Sequence, residues 1–302
     1  MPELLTLFAV AFVLISLIGS AGLLLYIHRP RRKTFAVALA MGNPTDPSDL
    51  GLEGEAVQFN LPGPGGGHTS PGWIVKGGLP EGPAVIILHG HRDARFGSLI
   101  RAKKLAPYAS HLVVFDWPAH GECTAPWMQF GQREIGDLLA VLDGLPDALT
   151  RNKPVLFGHS MGAQIAIKAA GLHDRFAGLI ADGPYRRWDS PIRARMKRYR
   201  VPAWMFIYPV AGFYLLRGWL PGFDRLHFAR QIKCPLLVIH GTHDPICPHH
   251  EGEELAQGAP DGTFVSIEGG GHIDLVGIDP ETYHAALSTF FARVGEGLGA
   301  KG

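Results

Sequence analysis

The pentapeptide Gly158-His159-Ser160-Met161-Gly162 follows directly on an apolar run and precedes a helix-forming segment. A serine hydroxyl becomes a useful nucleophile only when a neighbouring base removes its proton. To reach a substrate, the hydroxyl must project from a sharp turn between strand and helix, and such a turn requires very small residues two positions before and after the serine. Gly158 and Gly162 meet that requirement. We therefore predict that Ser160 is a nucleophile.

The matching base is expected to be a histidine in a late loop, oriented by a carboxylate from another loop. His272 follows three glycines, 269–271, and Asp244 follows the apolar run PLLVIH. The resulting order, serine, aspartate, histidine, is one of the three orders in which such triads occur along a chain. Asp182 also ends an apolar run and remains the alternative acid, although the glycine turn before Asp244 favours Asp244.

Acyl transfer also needs hydrogen-bond donors for the oxyanion that forms on the carbonyl oxygen. The backbone N–H of Met161 comes with the serine turn. A second donor is expected in the loop LHGHRDARFGS, where Gly90 lets the backbone turn and the N–H of His91 is the best placed.

A histidine-rich loop offers a different kind of site, a zinc site built from His243, Cys247, His249 and His250. Their spacing matches no strong ligand pattern, so neither a metal nor another cofactor is predicted.

Short runs rich in β-branched residues alternate with helical patterns, which indicates an α/β fold with a mostly parallel sheet covered on both faces. The predicted strands are Ala84–His89, His111–Asp116, Pro154–Gly158, Gly178–Asp182, Pro235–His240 and Phe264–Glu268, with helices at Gly131–Leu145 and Met161–Ala170. In such sheets ligands bind beyond the carboxyl ends of the strands, where the polar residues above lie.

The remaining segments have other compositions. Residues 54–77 are predicted to form a β-hairpin with Leu61–Gly67 as its loop, and residues 28–53 a linker with a short helix near Thr34–Met41. Residues 185–230 interrupt the strand–helix rhythm. Their first part, residues 185–200, has seven basic residues against one acid, an aromatic stretch follows, and we interpret the whole segment as a lid. Residues 296–302 are expected to be a flexible tail.

The N-terminus contains 24 uncharged residues from Leu4 to Ile27. As a helix this stretch would extend roughly 36 Å, enough to cross a hydrocarbon layer of about 30 Å. A cleaved signal peptide would need a basic start and a shorter apolar stretch. Ala38-Leu39-Ala40 resembles a cleavage site but lies beyond a basic cluster. A buried helix would need protein on all sides. We therefore predict an uncleaved anchor over residues 1–27.

Charge gives the orientation of this anchor and limits its partners. Arg29, Arg31, Arg32 and Lys33 follow the span, which predicts a single-pass protein whose remaining residues lie in the cytoplasm. The net charge is only +1, so no overall field favours nucleic acid as a partner.

Residues 54–295 resemble α/β-hydrolase fold proteins. The resemblance lies in LHGHRD, DWPAHGEC, GHSMG, HGTHDPICP and GGGHID, which occur in that family's order. It implies Ser160 as nucleophile, Asp244 as acid, His272 as base, and Met161 and His91 as oxyanion donors. The chain is similar to the esterase, monoglyceride-lipase and serine-aminopeptidase branches. A serine nucleophile disfavours the dehalogenase and epoxide-hydrolase branches. Two features depart from the family: Cys123 stands where many relatives have serine, and the lid is unusually basic.

The expected function is that of a membrane-anchored serine hydrolase acting on a carboxylic ester or thioester, which includes lipidic substrates. A serine peptidase and a non-catalytic scaffold of the same fold are the alternatives. The basic lid is interpreted in two ways, as a surface that attracts anionic lipid headgroups or as a solvated face.

Overall fold

Eight strands form one sheet across the residues that the computed structural model of the chain describes, 1–63 and 67–299. The strands are β1 (Gly54–Leu61), β2 (His68–Lys76), β3 (Val85–Leu88), β4 (His111–Phe115), β5 (Val155–His159), β6 (Gly178–Asp182), β7 (Leu236–Gly241) and β8 (Gly262–Ile267). Their spatial order is β1-β2-β4-β3-β5-β6-β7-β8. The pairs β1/β2 and β2/β4 are antiparallel, and the others are parallel. The predicted α/β class is confirmed.

Each predicted strand corresponds to an observed one, with ends that shift by one or two residues. The physical reason is visible in β3, where all four residues are buried. Ile86 and Leu88 face one hydrophobic core, whereas Val85 and Ile87 face another on the opposite side of the sheet. A strand buried on both faces has no polar alternation, which is why these strands read as continuous apolar runs.

Helices cover both faces of the sheet and supply the N-terminal and lid segments. They are α1 (Pro2–His28), α2 (Phe35–Ala40), α3 (Arg95–Leu105), α4 (Glu134–Asp143), α5 (Asp147–Thr150), α6 (Met161–Leu172), α7 (Ser190–Arg198), α8 (Trp204–Leu216), α9 (Arg225–Ala229), α10 (His249–Gly258), α11 (Leu275–Ile278) and α12 (Pro280–Gly299). The predicted helices near residues 34–41, 131–145 and 161–170 correspond to α2, α4 and α6. Three short 3₁₀ helices, at residues 47–50, 106–108 and 220–223, complete the described secondary structure.

The predicted hairpin is confirmed, because β1 and β2 pair antiparallel from Gly54 opposite Val75 to Leu61 opposite His68. Pro64–Gly66 of the predicted loop lie outside the described residues, as do residues 300–302 of the predicted tail.

The N-terminal helix α1 is long and apolar enough to cross a membrane, with 27 residues and a mean hydropathy of 2.5 in its most apolar window. Its second half packs against the lid helix α8. Ser16 Oγ donates to the backbone oxygen of Met205 at 2.5 Å, and Ser20 Oγ lies 3.1 Å from that of Phe206. A Cβ at Gly19 would lie 2.2 Å from the Phe206 ring, so glycine permits this close helix approach.

The lid comprises α7, α8, a 3₁₀ turn and α9 between β6 and β7. The α8 helix contains no charged residue, and part of its surface is exposed although apolar. Trp204, Tyr208, Leu215 and Leu216 are all at least half exposed. Contiguous apolar surface of this kind marks a site of interaction.

Candidate active site

Ser160 occupies the turn between β5 and α6 with φ 53° and ψ −114°, a region that residues other than glycine rarely adopt. Steric contacts with the neighbouring backbone require glycine at the two positions that flank this turn. A Cβ at Gly158 would lie 2.6 Å from the Ala163 backbone, and one at Gly162 would lie 2.0 Å from the Leu88 carbonyl oxygen. The turn thus raises the Ser160 hydroxyl above the sheet, as the sequence predicts.

The three side chains expected to form a triad lie in one hydrogen-bonded chain. The His272 Nε2 atom lies 3.0 Å from Ser160 Oγ, and the His272 Nδ1 atom lies 2.7 Å from Asp244 Oδ2. Asp244 comes from the loop after β7, and His272 from the loop after β8. Loops at the carboxyl ends of three parallel strands therefore bring these groups together.

The surroundings of Asp244 favour its ionised form. Burial alone would raise the pKa of this carboxyl group, but hydrogen bonds from His240 and His272 hold the pKa well below its usual value. Backbone N–H groups of Ile246 and Cys247 also donate to Oδ1, each at 2.8 Å. An ionised carboxylate only accepts hydrogen bonds, so Nδ1 of His272 carries the proton and Nε2 is left to accept one from Ser160.

The two predicted oxyanion donors flank the serine. A Cβ at Gly90 would lie 3.4 Å from Ser160 Cβ, so the His91 loop packs directly against the serine turn. Within the described residues, the backbone N–H groups of His91 and Met161 donate to no protein acceptor. Met161 is the first residue of α6, where a free N–H is inherent to the helix terminus. Both N–H groups are thus free of a backbone acceptor among the described residues, as an oxyanion donor must be.

Asp182, the alternative acid, is hydrogen-bonded to a different histidine, His159. Its Oδ1 atom lies 2.9 Å from Nδ1 of His159, and its Oδ2 atom accepts a hydrogen bond from the Tyr283 hydroxyl at 2.9 Å. Burial lowers the pKa of His159 to about 4, so this ring is neutral near pH 7. The His159 ring centroid lies 5.1 Å from that of His272, so the two rings pack against each other.

Cys247 also lies beside the site. Its thiol, Asp244 and His272 offer ligand atoms within 4.8 Å of one another, the group with metal-ligand spacing in the described part of the chain. The carboxylate and the imidazole of this group are already bonded to each other. Burial raises the pKa of the Cys247 thiol well above its ordinary value, so the thiol stays protonated near pH 7.

The histidine-rich loop that raised the question of zinc is arranged differently. His249 bonds to Ser266 Oγ at 2.7 Å, and His243 lies 3.3 Å from Thr242 Oγ1. These rings have separate partners and form no group with metal-ligand spacing among the described residues.

A cavity of about 1020 Å³ opens onto Ser160 and His272. Its wall is mixed in character. Apolar side chains form one group: Leu23, Ile27, Phe130, Ile192, Met196 and Ile246. Basic side chains form another: Arg31, Arg32, Lys33, Arg92, Arg101, Lys104 and Arg195. An apolar volume with charged groups beside it suits an amphiphilic substrate.

The end of α1 belongs to this cavity wall, a role that the sequence analysis missed. Nε2 of His91 lies 3.2 Å from the Ile27 carbonyl oxygen, which links the helix to the oxyanion loop. His28 is buried between the Met128 carbonyl oxygen at 2.8 Å and the Tyr214 hydroxyl at 3.0 Å. Arg32 donates to the carbonyl oxygens of Cys123 and Ala125. The available signal was the polar and small stripe of Ser16, Gly19 and Ser20 on one face of an otherwise apolar helix.

Comparison with curated proteins gives distant relatives that are hydrolases by name. The chain is 26% identical over 204 residues to the lysophosphatidylserine lipase ABHD12 of Rattus norvegicus, covering 61% of this chain and 47% of that protein. It is 25% identical over 184 residues to the 2,6-dihydropseudooxynicotine hydrolase of Paenarthrobacter nicotinovorans, covering 56% and 47%. The chain thus spans about half the length of these relatives.

Solved structures share the fold. An esterase of Pyrococcus furiosus superposes with a TM-score of 0.63 at 23% identity, covering 82% of this chain and 93% of that chain. A bacterial membrane phospholipase A superposes with a TM-score of 0.63 at 18% identity, covering 97% and 99%. A sequence profile described as the alpha/beta hydrolase family matches residues 85–286, which is more than half of the chain. With the sheet order and the profile in agreement, this chain belongs to the alpha/beta hydrolase family.

Proposed function

We propose that the chain is a membrane-anchored serine hydrolase that cleaves carboxylic esters or thioesters of lipidic substrates. The observation that supports this proposal is the hydrogen-bonded chain from Ser160 through His272 to Asp244, placed inside a cavity whose wall includes the end of α1. The named activities of the relatives, a lysophosphatidylserine lipase and a membrane phospholipase A, agree with it.

The reaction proceeds through an acyl-enzyme. Nε2 of His272 takes the proton of Ser160 as Oγ attacks the carbonyl carbon, and the negative charge on the carbonyl oxygen is held by the N–H groups of His91 and Met161. The tetrahedral intermediate collapses, and His272 gives its proton to the leaving alcohol or thiol. A water molecule, deprotonated by His272, then attacks the acyl carbon and releases the carboxylic acid. Asp244 stabilises the imidazolium in both steps.

An ester fits the cavity better than a peptide with a free amino terminus. Recognition of a protonated α-amine calls for an unpaired carboxylate near the nucleophile. Among the described residues that line the cavity, the carboxylates have other partners: Asp93 faces Lys33 and Arg101, Asp182 faces His159, and Asp274 faces Lys104. This arrangement favours the ester over the aminopeptidase alternative.

A substrate panel tests the proposal. We expect p-nitrophenyl esters and monoacylglycerols to be hydrolysed, with the rate increasing from short to medium acyl chains as the apolar part of the cavity fills. Each buried methylene contributes about 0.8 kcal/mol, which corresponds to roughly fourfold in kcat/KM per carbon until the cavity is full. Aminoacyl p-nitroanilides are the control. Hydrolysis of the anilides with no ester turnover would favour the peptidase, and no turnover of either class would favour the scaffold.

The lid is proposed to contact the same membrane as α1. Ring centroids of Phe12 and Trp204 lie 5.7 Å apart, so α8 runs beside α1 from that level down to His28, whose ring contacts Tyr214. By helix geometry these contacts extend over roughly 24 Å of α1. The exposed aromatic and apolar residues of α8 therefore lie next to the membrane helix. Tryptophan, tyrosine and arginine are the residues that concentrate at membrane interfaces.

The seven basic residues in the first part of the lid, residues 185–200, divide into two groups. Three pair with acidic side chains: Arg186 with Asp224 and Glu254, and Arg187 and Arg193 with Asp189. In the described part of the chain, four have no acidic partner: Arg195, Lys197, Arg198 and Arg200. The unpaired cations next to α8 favour attraction to anionic headgroups over a purely solvated face. Arg29 and Arg31 support placing this face on the cytoplasmic side.

Removing three of these charges tests the lid contact. We expect the variant Lys197→Gln/Arg198→Gln/Arg200→Gln to lose the preference of the reconstituted enzyme for vesicles that contain anionic lipid. Each cation near such a surface contributes about 1 kcal/mol, so the three together contribute about 3 kcal/mol, which corresponds to a wild-type preference of roughly 150-fold at low salt. This preference for anionic vesicles should fall at high salt, because salt screens exposed charges.

The matched control removes the same charge elsewhere. Lys103→Gln/Arg151→Gln/Lys233→Gln changes three exposed cations outside the lid and should keep the preference. Equal rates on neutral and anionic vesicles for the wild-type enzyme, or equal losses in both triple variants, would contradict the lid contact.

A further inference from the structure

Two arginines flank one tyrosine in the wall of the cavity. The guanidinium carbon of Arg92 lies 6.0 Å from the centroid of the Tyr26 ring, and that of Arg195 lies 5.9 Å from it. Nη1 of Arg195 also donates to the Tyr26 hydroxyl. The three residues come from α1, from the loop after β3 and from α7, and all three line the cavity that contains Ser160. Three separate elements thus contribute one group each, and both cations lie about 6 Å from the same ring.

The charges of this pair are not neutralised by the protein. Among the described residues, neither Arg92 nor Arg195 has an acidic partner. By contrast, Lys33 and Arg101 both pair with Asp93, and Lys104 pairs with Asp274. Both guanidinium groups act on His91: burial lowers the pKa of its ring to about 4, and the two arginines contribute to that shift. The positive charge of the two arginines therefore acts on His91, whose backbone N–H is the proposed oxyanion donor.

The backbone at Arg92 adds an independent observation. Its φ is 65°, in the left-handed region where a side chain other than glycine costs roughly 1–2 kcal/mol. Glycine or asparagine would fit this turn more easily. Non-glycine residues in such conformations cluster at functional sites, which agrees with a role for the arginine side chain itself.

We propose that Arg92, Arg195 and the Tyr26 hydroxyl bind the phosphate of a glycerophospholipid substrate while Ser160 attacks its acyl ester. This inference rests on the proposed function and names its substrate class. Guanidinium groups bind phosphate through paired, charge-assisted hydrogen bonds. Arg92 directly follows His91, and a glycerol unit separates the ester carbonyl from the phosphate. The cavity that contains Ser160 is lined by both arginines and by His91, so the phosphate and the ester of one lipid share that cavity.

The experiment compares two substrates with the same acyl chain, lysophosphatidylglycerol and monoacylglycerol, on the full chain in detergent micelles. Loss of one charge-assisted contact corresponds to about tenfold or more. We expect Arg92→Gln and Arg195→Gln each to lower the ratio of kcat/KM for the phospholipid to that for the neutral lipid by about tenfold, mainly through KM. The double variant should lower it by about 100-fold. Arg195→Lys should keep part of the preference, because it keeps the charge.

Arg193→Gln is the matched control, since Arg193 lies on the same helix, is exposed and pairs with Asp189 outside the cavity wall. It should leave the ratio unchanged. A double variant with the wild-type ratio would overturn the proposal, and so would an equal fall for both substrates, which would indicate a structural role.

A binding measurement distinguishes failure of this proposal from failure of the proposed function. Ser160→Ala should bind an ether analogue of lysophosphatidylglycerol by calorimetry, and the two arginine substitutions added to it should weaken that binding by about 100-fold, with or without esterase activity in the parent. A binding measurement with inorganic phosphate alone distinguishes a site for a lipid headgroup from a site for free phosphate. Binding of free phosphate that depends on both arginines, together with no preference for the phospholipid, would overturn a lipid headgroup site.

Discussion

Replacement of Ser160 by alanine is expected to lower kcat/KM for p-nitrophenyl esters by about 10⁴- to 10⁶-fold, as removal of the nucleophile does in serine hydrolases. The reason is that, in the proposed mechanism, Oγ forms the bond to the acyl carbon and gives its proton to His272 Nε2, 3.0 Å away. Alanine keeps the Cβ atom, so the turn at φ 53° should be unaffected.

An unchanged melting temperature is the control for folding of this variant. Activity above about 1% of wild type, measured after removal of contaminating esterases, would contradict Ser160 as the nucleophile.

Asp244→Asn is expected to lower kcat by roughly 10³- to 10⁴-fold while leaving KM close to the wild-type value. Asp244 holds the proton of His272 on Nδ1, across a distance of 2.7 Å. An asparagine amide can instead donate to Nδ1, which moves the ring proton to Nε2. A protonated Nε2 cannot accept the proton of Ser160. The measurement is the kcat of ester hydrolysis near pH 7.5.

Asp182→Asn is the matched comparison, because both substitutions replace a buried carboxylate at the end of a strand. Asp182 contacts His159 and Tyr283, so its loss should lower kcat by less than about tenfold. A larger loss of kcat for Asp182→Asn than for Asp244→Asn would indicate that Asp182, and not Asp244, is the acid of the triad.

Much of the fold was predictable from the sequence because its signals are local. Strands such as β3 and β5 are buried on both faces, and that burial alone makes them continuous apolar runs. The turn at Ser160 needs glycine at positions 158 and 162 for steric reasons, so its residues are also visible in the chain. These predictions depended on residue types within a short stretch of the chain, even where the contact itself is distant, as between Gly162 and Leu88.

The contribution of α1 to the site was not predictable in the same way. The sequence analysis treated α1 as a uniform apolar segment, whereas its Ser16 and Ser20 contact residues almost 190 positions later. The basic residues after it were interpreted as a membrane-orientation signal, yet Lys33 forms an ion pair with Asp93. Composition identifies such residues, but only the packing of distant segments determines which of them face a cavity.

The choice between Asp244 and Asp182 shows the same limit. Both residues end apolar runs, so the sequence places both at the same edge of the sheet. Their histidine partners depend on where the loops after β7 and β8 meet, and that meeting involves the close contact of Gly241 with Gly270. Long-range loop packing of this kind leaves only a weak trace in the chain.

Covalent labelling measures the reactivity of Ser160 most directly. The full chain is treated with a fluorophosphonate probe, which reacts with serines that a neighbouring base activates, and the modified peptide is identified by mass spectrometry. We expect the probe on Ser160 in the wild-type chain and no labelling in Ser160→Ala, with labelling strongly slowed in His272→Ala. A folded wild-type chain that stays unlabelled, or that is labelled at another residue, would contradict the proposed catalytic centre.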